Sequence, residues 1–126
     1  MQIQVSSGNE APIYQQIVNQ VRYLVASGQM DPGEELLPIR TLAEQLVVNP
    51  NTVARAYMEL ERAGVVVKRR GSGTYVAERP PLVNQRQKKQ ILFERIDALL
   101  AEAHQLGVEL DELHAMLGQR SERLHR

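Results

Sequence analysis

The stretch Val48-Asn49-Pro50-Asn51-Thr52-Val53-Ala54-Arg55-Ala56-Tyr57-Met58-Glu59-Leu60-Glu61-Arg62 decides how the rest of the chain is read. Val53, Ala56, Tyr57 and Leu60 recur at helical spacing on one side, while Arg55, Glu59 and Arg62 fall on others. The pattern predicts an amphipathic helix with one apolar face. Asn49 or Asn51 can cap its first turn, and Pro50 is tolerated there because that N–H has no intrahelical partner. The N-terminal end of a helix attracts phosphate, and Asn49, Asn51 and Thr52 add short donors and acceptors to it. Such a helix is equipped to enter a DNA major groove. Taken alone it is equally an ordinary, well-capped surface helix, so the flanking residues decide.

Upstream, Met1 to Val5 alternates in the manner of a short strand, and Ser6 to Glu10 reads as loop. A helix begins near Ala11-Pro12, with the proline in its first turn. Ile13, Ile17, Val21, Leu24 and Val25 form its apolar stripe, Tyr14 lies one position away, and Ser27-Gly28 stops it. Asp31-Pro32-Gly33-Glu34 is turn chemistry. A shorter helix starts around Pro38-Ile39-Arg40 and runs through Leu42, Ala43, Leu46 and Val47. The helix described first is therefore the third, ending at Ala63-Gly64.

Downstream, Val65 to Ala77 holds two β-rich runs around Gly71-Ser72-Gly73, a hairpin signal with Lys68, Arg69 and Arg70 at the approach to its tip. From Asn49 to Val76 there are five Lys/Arg against two acids, a local basic patch in a chain with 15 basic and 15 acidic residues. Three helices and a basic hairpin in this order make a winged helix-turn-helix. A charged edge that merely blocks sheet aggregation is the competing account of Lys68 to Arg70.

Arg79-Pro80-Pro81 can continue neither strand nor helix and marks a boundary. Beyond it Leu92, Ile96, Leu99, Ala103, Leu106, Leu110, Leu113 and Leu117 follow steps of four and three, with Phe93 and Leu100 widening the apolar face. A continuous coiled-coil seam fits this spacing. So does a hairpin broken at Gly107-Val108, with Asp111 and Glu112 in the first turn of the second helix. Glycine inside a helix costs about 1 kcal/mol relative to alanine, which favours the break. So apolar a stripe on so short a tail calls for a partner, most simply the same stripe of a second copy. The fold class expected is mainly α with a small β-hairpin wing: residues 1–78 the winged helix-turn-helix, 79–83 a Pro-Pro linker, 84–126 a helical dimerisation hairpin.

Composition narrows the function. With 126 residues and no cysteine there are no disulfides, thiol nucleophiles or thiolate zinc sites. No apolar run approaches the roughly 18 residues of a membrane span and no signal pattern opens the chain, so a cytoplasmic protein without membrane contact is expected. His104, His114 and His125 lack the close spacing of a metal pair, and no nucleophile constellation accompanies them. Neither an enzyme, a metal site nor a cofactor is expected. Gly71-Ser72-Gly73 is a hairpin turn and not a phosphate cradle, since no helix follows it.

The residues resemble the GntR family of bacterial transcription regulators over about Ala11 to Val76. The resemblance lies in Pro12-Ile13-Tyr14-Gln15-Gln16-Ile17, Gly28, Pro32-Gly33-Glu34, Leu36, Arg40, Leu42-Ala43, Asn51-Thr52-Val53, Ala56-Tyr57, Leu60-Glu61, Ala63-Gly64 and Gly71 to Val76. A helical tail of about 40 residues is similar to the YtrA-type subfamily, which dimerises through two short helices. The resemblance implies that Arg40 contacts DNA backbone, that Asn49, Pro50, Asn51 and Thr52 form the turn and start of the recognition helix, and that Arg70 and Gly71 sit at the wing tip. Where many members have Leu-Pro-Ser this chain has Leu36-Leu37-Pro38, and where many have Ser-Arg it has Asn49-Pro50. Arg55, a turn further in, takes part of the missing arginine's role.

The function expected is a homodimeric repressor of its own operon, often one encoding a transport ATPase in this subfamily, that binds a palindromic operator in double-stranded DNA. Arg40, Lys68, Arg69 and Arg70 would contact phosphate; Asn49, Asn51, Thr52 and Arg55 would meet base edges. Leu92, Ile96, Leu99, Leu106, Leu110, Leu113 and Leu117 would form the dimer seam. A small-molecule effector, if the protein takes one, would lodge near Arg79 to Val83. The neutral overall charge keeps a second reading open, a winged-helix module that binds protein and not DNA.

Overall fold

The computed structural model describes residues 1–8 and 10–125. Asn9, within the loop expected over Ser6 to Glu10, and Arg126, at the end of the expected tail, lie outside the described residues. The elements are α1 (Ile13–Ala26), α2 (Ile39–Leu46), α3 (Pro50–Arg62), β1 (Val66–Arg69), β2 (Gly73–Val76), α4 (Gln85–Gln105) and α5 (Leu110–Leu124). The chain divides into two compact units, Met1–Gln87 and Lys88–Arg126.

In the first unit the apolar stripes of the three helices converge. Ile17 and Val21 of α1, Leu42 of α2, and Val53, Ala56 and Leu60 of α3 are buried together with Met30, Leu36, Val66 and Val76. Withdrawing such side chains from water contributes roughly 1.5–3 kcal/mol each for the larger ones. Pro12 and Pro38 stand immediately before α1 and α2, in the N-cap position, with extended backbone and no side-chain cap. Pro12 is thus one residue outside the first turn that the sequence suggested, because a proline in extended conformation ends one segment and opens the next.

Met1 to Val5 forms no strand. The backbone groups of Gln4 and Ser6 are paired instead by two glutamine side chains one helical turn apart on α1. Gln4 N–H donates to Gln20 Oε1 at 2.9 Å, and Gln20 Nε2 donates back to the Gln4 carbonyl. Ser6 N–H donates to Gln16 Oε1 at 2.9 Å, and Gln16 Nε2 returns to the Ser6 carbonyl at 2.9 Å. A primary amide carries the same donor and acceptor as a peptide group, so the pair replaces a neighbouring strand. Ile3 is buried as a result.

β1 and β2 pair antiparallel, Val66 opposite Val76 and Arg69 opposite Gly73. The outer edge of β2 is covered by residues 33–36. Gly33 N–H donates to the Val76 carbonyl (2.9 Å), Val76 N–H to Glu34 (2.8 Å), and Leu36 N–H to Thr74 (2.8 Å). Of the two strands, β2 therefore has backbone partners on both sides. At the other end β1 follows α3 after a turn of three residues. Gly64 N–H donates to the Glu61 carbonyl and Val65 N–H to Leu60, both at 3.0 Å, so helix and wing share one junction.

In the second unit α4 ends at Gln105 and α5 begins at Leu110. Gly107 has φ +74°, a left-handed conformation open to glycine without strain. Its N–H donates to His104 (3.1 Å) and the N–H of Val108 to Ala103 (2.8 Å), a Schellman stop. The heptad spacing is therefore that of a broken hairpin and not of one continuous helix. Asp111 and Glu112 occupy the first turn of α5, where the helix dipole favours acids. The start of α4 carries a reciprocal box: Gln87 N–H donates to Asn84 Oδ1 (2.9 Å) and Asn84 N–H to Gln87 Oε1 (3.0 Å).

One hydrogen bond ties α3 to the segment before α2. The Tyr57 hydroxyl donates to the Leu37 carbonyl at 2.6 Å, and burial pushes the phenol's ionisation well above its ordinary 10. A pKa raised by folding means stability that is present below the unfolded pKa and is lost as pH rises through the folded one. Tyr57→Phe should therefore cost about 1 kcal/mol at pH 7, with the gap to the parent narrowing above about pH 10, as read by urea denaturation at both pH values.

Candidate nucleic-acid interface

The apolar face of α3 is spent on the core, which leaves its first turn and outer side to solvent. Asn49 adopts extended backbone (φ −64°, ψ 134°), and its side-chain oxygen accepts from Asn51 N–H at 2.8 Å. Asn49, and not Asn51, is thus the cap. The cap bond takes one of that oxygen's two lone pairs and leaves the side chain's NH2 to donate to a ligand. Pro50, the first helical residue, is exposed and brings no donor. Asn51 is exposed with its amide directed by no cap, and Thr52 is half-buried.

Arg55 is exposed one turn further along α3, and its guanidinium carbon lies 3.8 Å from the centre of the Tyr14 ring on α1. A cation over an aromatic face is attracted by the ring's quadrupole. Arg62, at the other end of the helix, behaves differently: it lies 3.6 Å from Glu59 and donates to Met58 Sδ. Arg40, the second residue of α2, is exposed.

The wing carries Lys68, Arg69 and Arg70, all exposed. Arg69 is the least available of the three. Its guanidinium sits 4.4 Å from the centre of the Tyr75 ring and 4.0 Å from a Glu78 carboxylate oxygen. Tyr75 itself is hydrogen-bonded to the Ser72 hydroxyl across the turn. Arg70 stands at the tip, followed by Gly71 with φ +74°, a turn position that glycine takes without strain. The residues singled out from the sequence for DNA binding thus all lie in the first unit, on α2, on the α3 end and on the wing.

Two features of this region have no counterpart in the sequence reading. One is the Tyr14 ring beneath Arg55. The other is the left-handed backbone of Val47: the sequence pattern carried it into the second helix, but it lies just past α2, in the turn before α3, with φ 55° and ψ 51° and 89% of its surface exposed. Its N–H donates to Glu44 and that of Val48 to Ala43 (3.0 Å), so the turn closes as a helix stop with a β-branched residue where glycine belongs.

In the second unit Leu92, Ile96, Leu99, Leu106, Leu110 and Leu117 are exposed, together with Phe93, Leu100 and Met116. Leu113 differs: it is buried inside the hairpin, as is Ala103. Leu100, Ala103, His104, Val108, Leu110 and Leu113 line a hollow at the turn of the hairpin. Among the described residues no cluster of three His, Asp or Glu side chains could hold a metal ion, and no helix is long and apolar enough to cross a membrane.

Residues 13–76 match the model for bacterial regulatory proteins of the gntR family. The chain is 41% identical over 112 residues to the HTH-type transcriptional repressor YtrA of Bacillus subtilis, covering 89% of this chain and 86% of that one. Among solved structures it is similar to YtrA from Sulfolobus acidocaldarius, a GntR-family transcription factor, with a TM-score of 0.54, 28% identity and full coverage of both chains. It is also similar to the AraR DNA-binding domain in complex with operator ORE1, with a TM-score of 0.52 and 25% identity over 61% of this chain and 94% of that one. These relatives are regulators of transcription, not enzymes.

The αL conformation costs a side chain with a Cβ about 1–2 kcal/mol, and Val47 makes no buried contact to offset it. Val47→Gly should raise the unfolding free energy by about 1 kcal/mol after glycine's own entropy cost; thermal unfolding of the two proteins side by side checks this.

Proposed function

The chain belongs to the GntR family of bacterial regulatory proteins, and from that premise we propose that this transcription regulator is a homodimeric, cytoplasmic repressor of its own operon that binds a palindromic operator. The observation that carries the proposal is the placement of the uncommitted polar groups. Asn51 and Arg55 are exposed along the free side of α3, Arg40 on α2, and Lys68 and Arg70 on a wing joined to α3 by a tight turn of three residues. In this reading α3 enters the major groove with Asn49, Asn51, Thr52 and Arg55 toward base edges, while Arg40, Lys68, Arg69 and Arg70 hold phosphates. Pro50 and Gly71 shape the two ends of that surface and bring no side-chain donor. The repressor named among the relatives and the operator complex of the AraR domain support it.

The second unit supplies the two-fold. Six of the leucine and isoleucine positions foreseen for the seam are exposed, and a second copy of the same face would cover them. Leu113 contributes from within, by holding the hairpin that presents the face. Two recognition helices related by a dyad meet successive major grooves, which requires a palindrome.

Arg70→Ala should weaken binding to every duplex and lower the salt slope by about one. Asn51→Ala should instead cost about 1–3 kcal/mol on the preferred sequence alone. Fluorescence anisotropy against the gene's upstream region and a shuffled duplex separates the two, and equal effects on both duplexes would sink the division of roles. Leu110→Glu combined with Leu117→Glu should give a monomer in sedimentation, with operator binding lost. A parent protein that dimerises but ignores DNA at low salt would favour a protein-binding module, the reading its zero net charge keeps alive.

A further inference from the structure

We propose that Tyr14 is a positioning residue for DNA sequence discrimination: its ring on α1 holds the Arg55 guanidinium of α3 in the orientation that meets a base edge. The inference rests on the regulator reading above. Tyr14 and Arg55 are 41 positions apart and meet because α1 packs against α3 through Ile17, Val53 and Ala56. The guanidinium carbon is 3.8 Å from the ring centre, closer than the 4.4 Å between Arg69 and Tyr75.

What restrains each arginine decides what it can do next. Arg62 and Arg69 are each within 4.0 Å of a carboxylate, Glu59 and Glu78, which competes with phosphate for the same N–H groups. Among the described residues no carboxylate forms such an ion pair with Arg55. A ring face restrains a guanidinium without occupying its in-plane donors, because the attraction acts perpendicular to that plane. A free arginine loses much rotamer entropy when it is fixed in a complex. One already stacked has lost part of it on folding, so more of its bidentate contact to a guanine appears as affinity and as discrimination. Arg55 is thus a preorganised reader, and the device that preorganises it lies on a helix that need not touch the groove.

The test uses the full chain and the duplex that the parent protein enriches from a randomised pool, with a shuffled duplex of the same composition as reference. Discrimination is the ratio of the two dissociation constants at one salt concentration, and thermal unfolding confirms that each variant is folded. Tyr14→Leu should lower discrimination about fivefold, while Tyr14→Phe, which keeps the ring, should retain it. In an Arg55→Ala background Tyr14→Leu should have no further effect, since the two residues act as one unit. A Tyr14→Leu loss that persists undiminished in that background, or a loss equally large in Tyr14→Phe, would overturn the positioning role. So would discrimination left intact by Tyr14→Leu but lost in Arg55→Ala, or unchanged by Arg55→Ala itself. Failure of the parent protein to enrich any duplex would instead defeat the regulator reading on which this rests.

Discussion

α3 has to be gripped from one side only, and the architecture of the first unit follows from that constraint. A helix that meets a groove must be rigid, yet nothing may cover its outer surface. Val53, Ala56 and Leu60 are withdrawn completely from solvent, and Tyr57 nearly so. α1, α2 and β1 all pack against that face, and the Tyr57 hydroxyl reaches a carbonyl in the segment leading into α2. The polar groups that remain are left at the perimeter with few internal obligations. The buried face and the residues proposed for DNA binding therefore occupy opposite sides of one 13-residue helix.

The sequence made the local elements legible because each obeys a short-range rule. Apolar residues at helical spacing placed the five helices, glycine and asparagine placed their ends, and the hairpin followed from two β-rich runs around a turn. Gly107 favoured a hairpin over a continuous helix, because glycine is costly inside a helix, and the left-handed stop in the structure settles it. What escaped were pairings between distant segments. Asp31 to Glu34 looked like turn chemistry, yet Gly33 and Glu34, together with Leu36, became the edge that covers β2. Met1 to Val5 looked like a strand, and its backbone found glutamine side chains in place of another strand. No periodicity announces that two glutamines on a helix will serve as a ladder.

The candidate site was legible in its residue types and illegible in its restraints. Asparagines before a helix and cations on a hairpin are visible in one dimension. That Asn49 uses its oxygen on the cap, that Arg69 is drawn toward Glu78, and that Arg55 lies over Tyr14 all depend on tertiary geometry. Tyr14 read only as a residue one position from the apolar stripe of its helix, which says nothing of the cation above its ring. Leu113 shows the same limit in the tail: a leucine on a heptad step can close its own hairpin as readily as face a partner.

The glutamine ladder has a practical consequence for handling the protein. The polar ties that hold the first unit together are neutral: Gln16 and Gln20 to the amino-terminal segment, Tyr57 to Leu37, Asn49 to its own helix. The ion pairs of Arg62 with Glu59 and of Arg69 with Glu78 are on exposed side chains and contribute little. Dissolved ions screen charges but leave amide and hydroxyl bonds largely untouched. Concentrated salt should therefore leave the fold of this unit intact while it weakens any contact the chain makes to a polyanion.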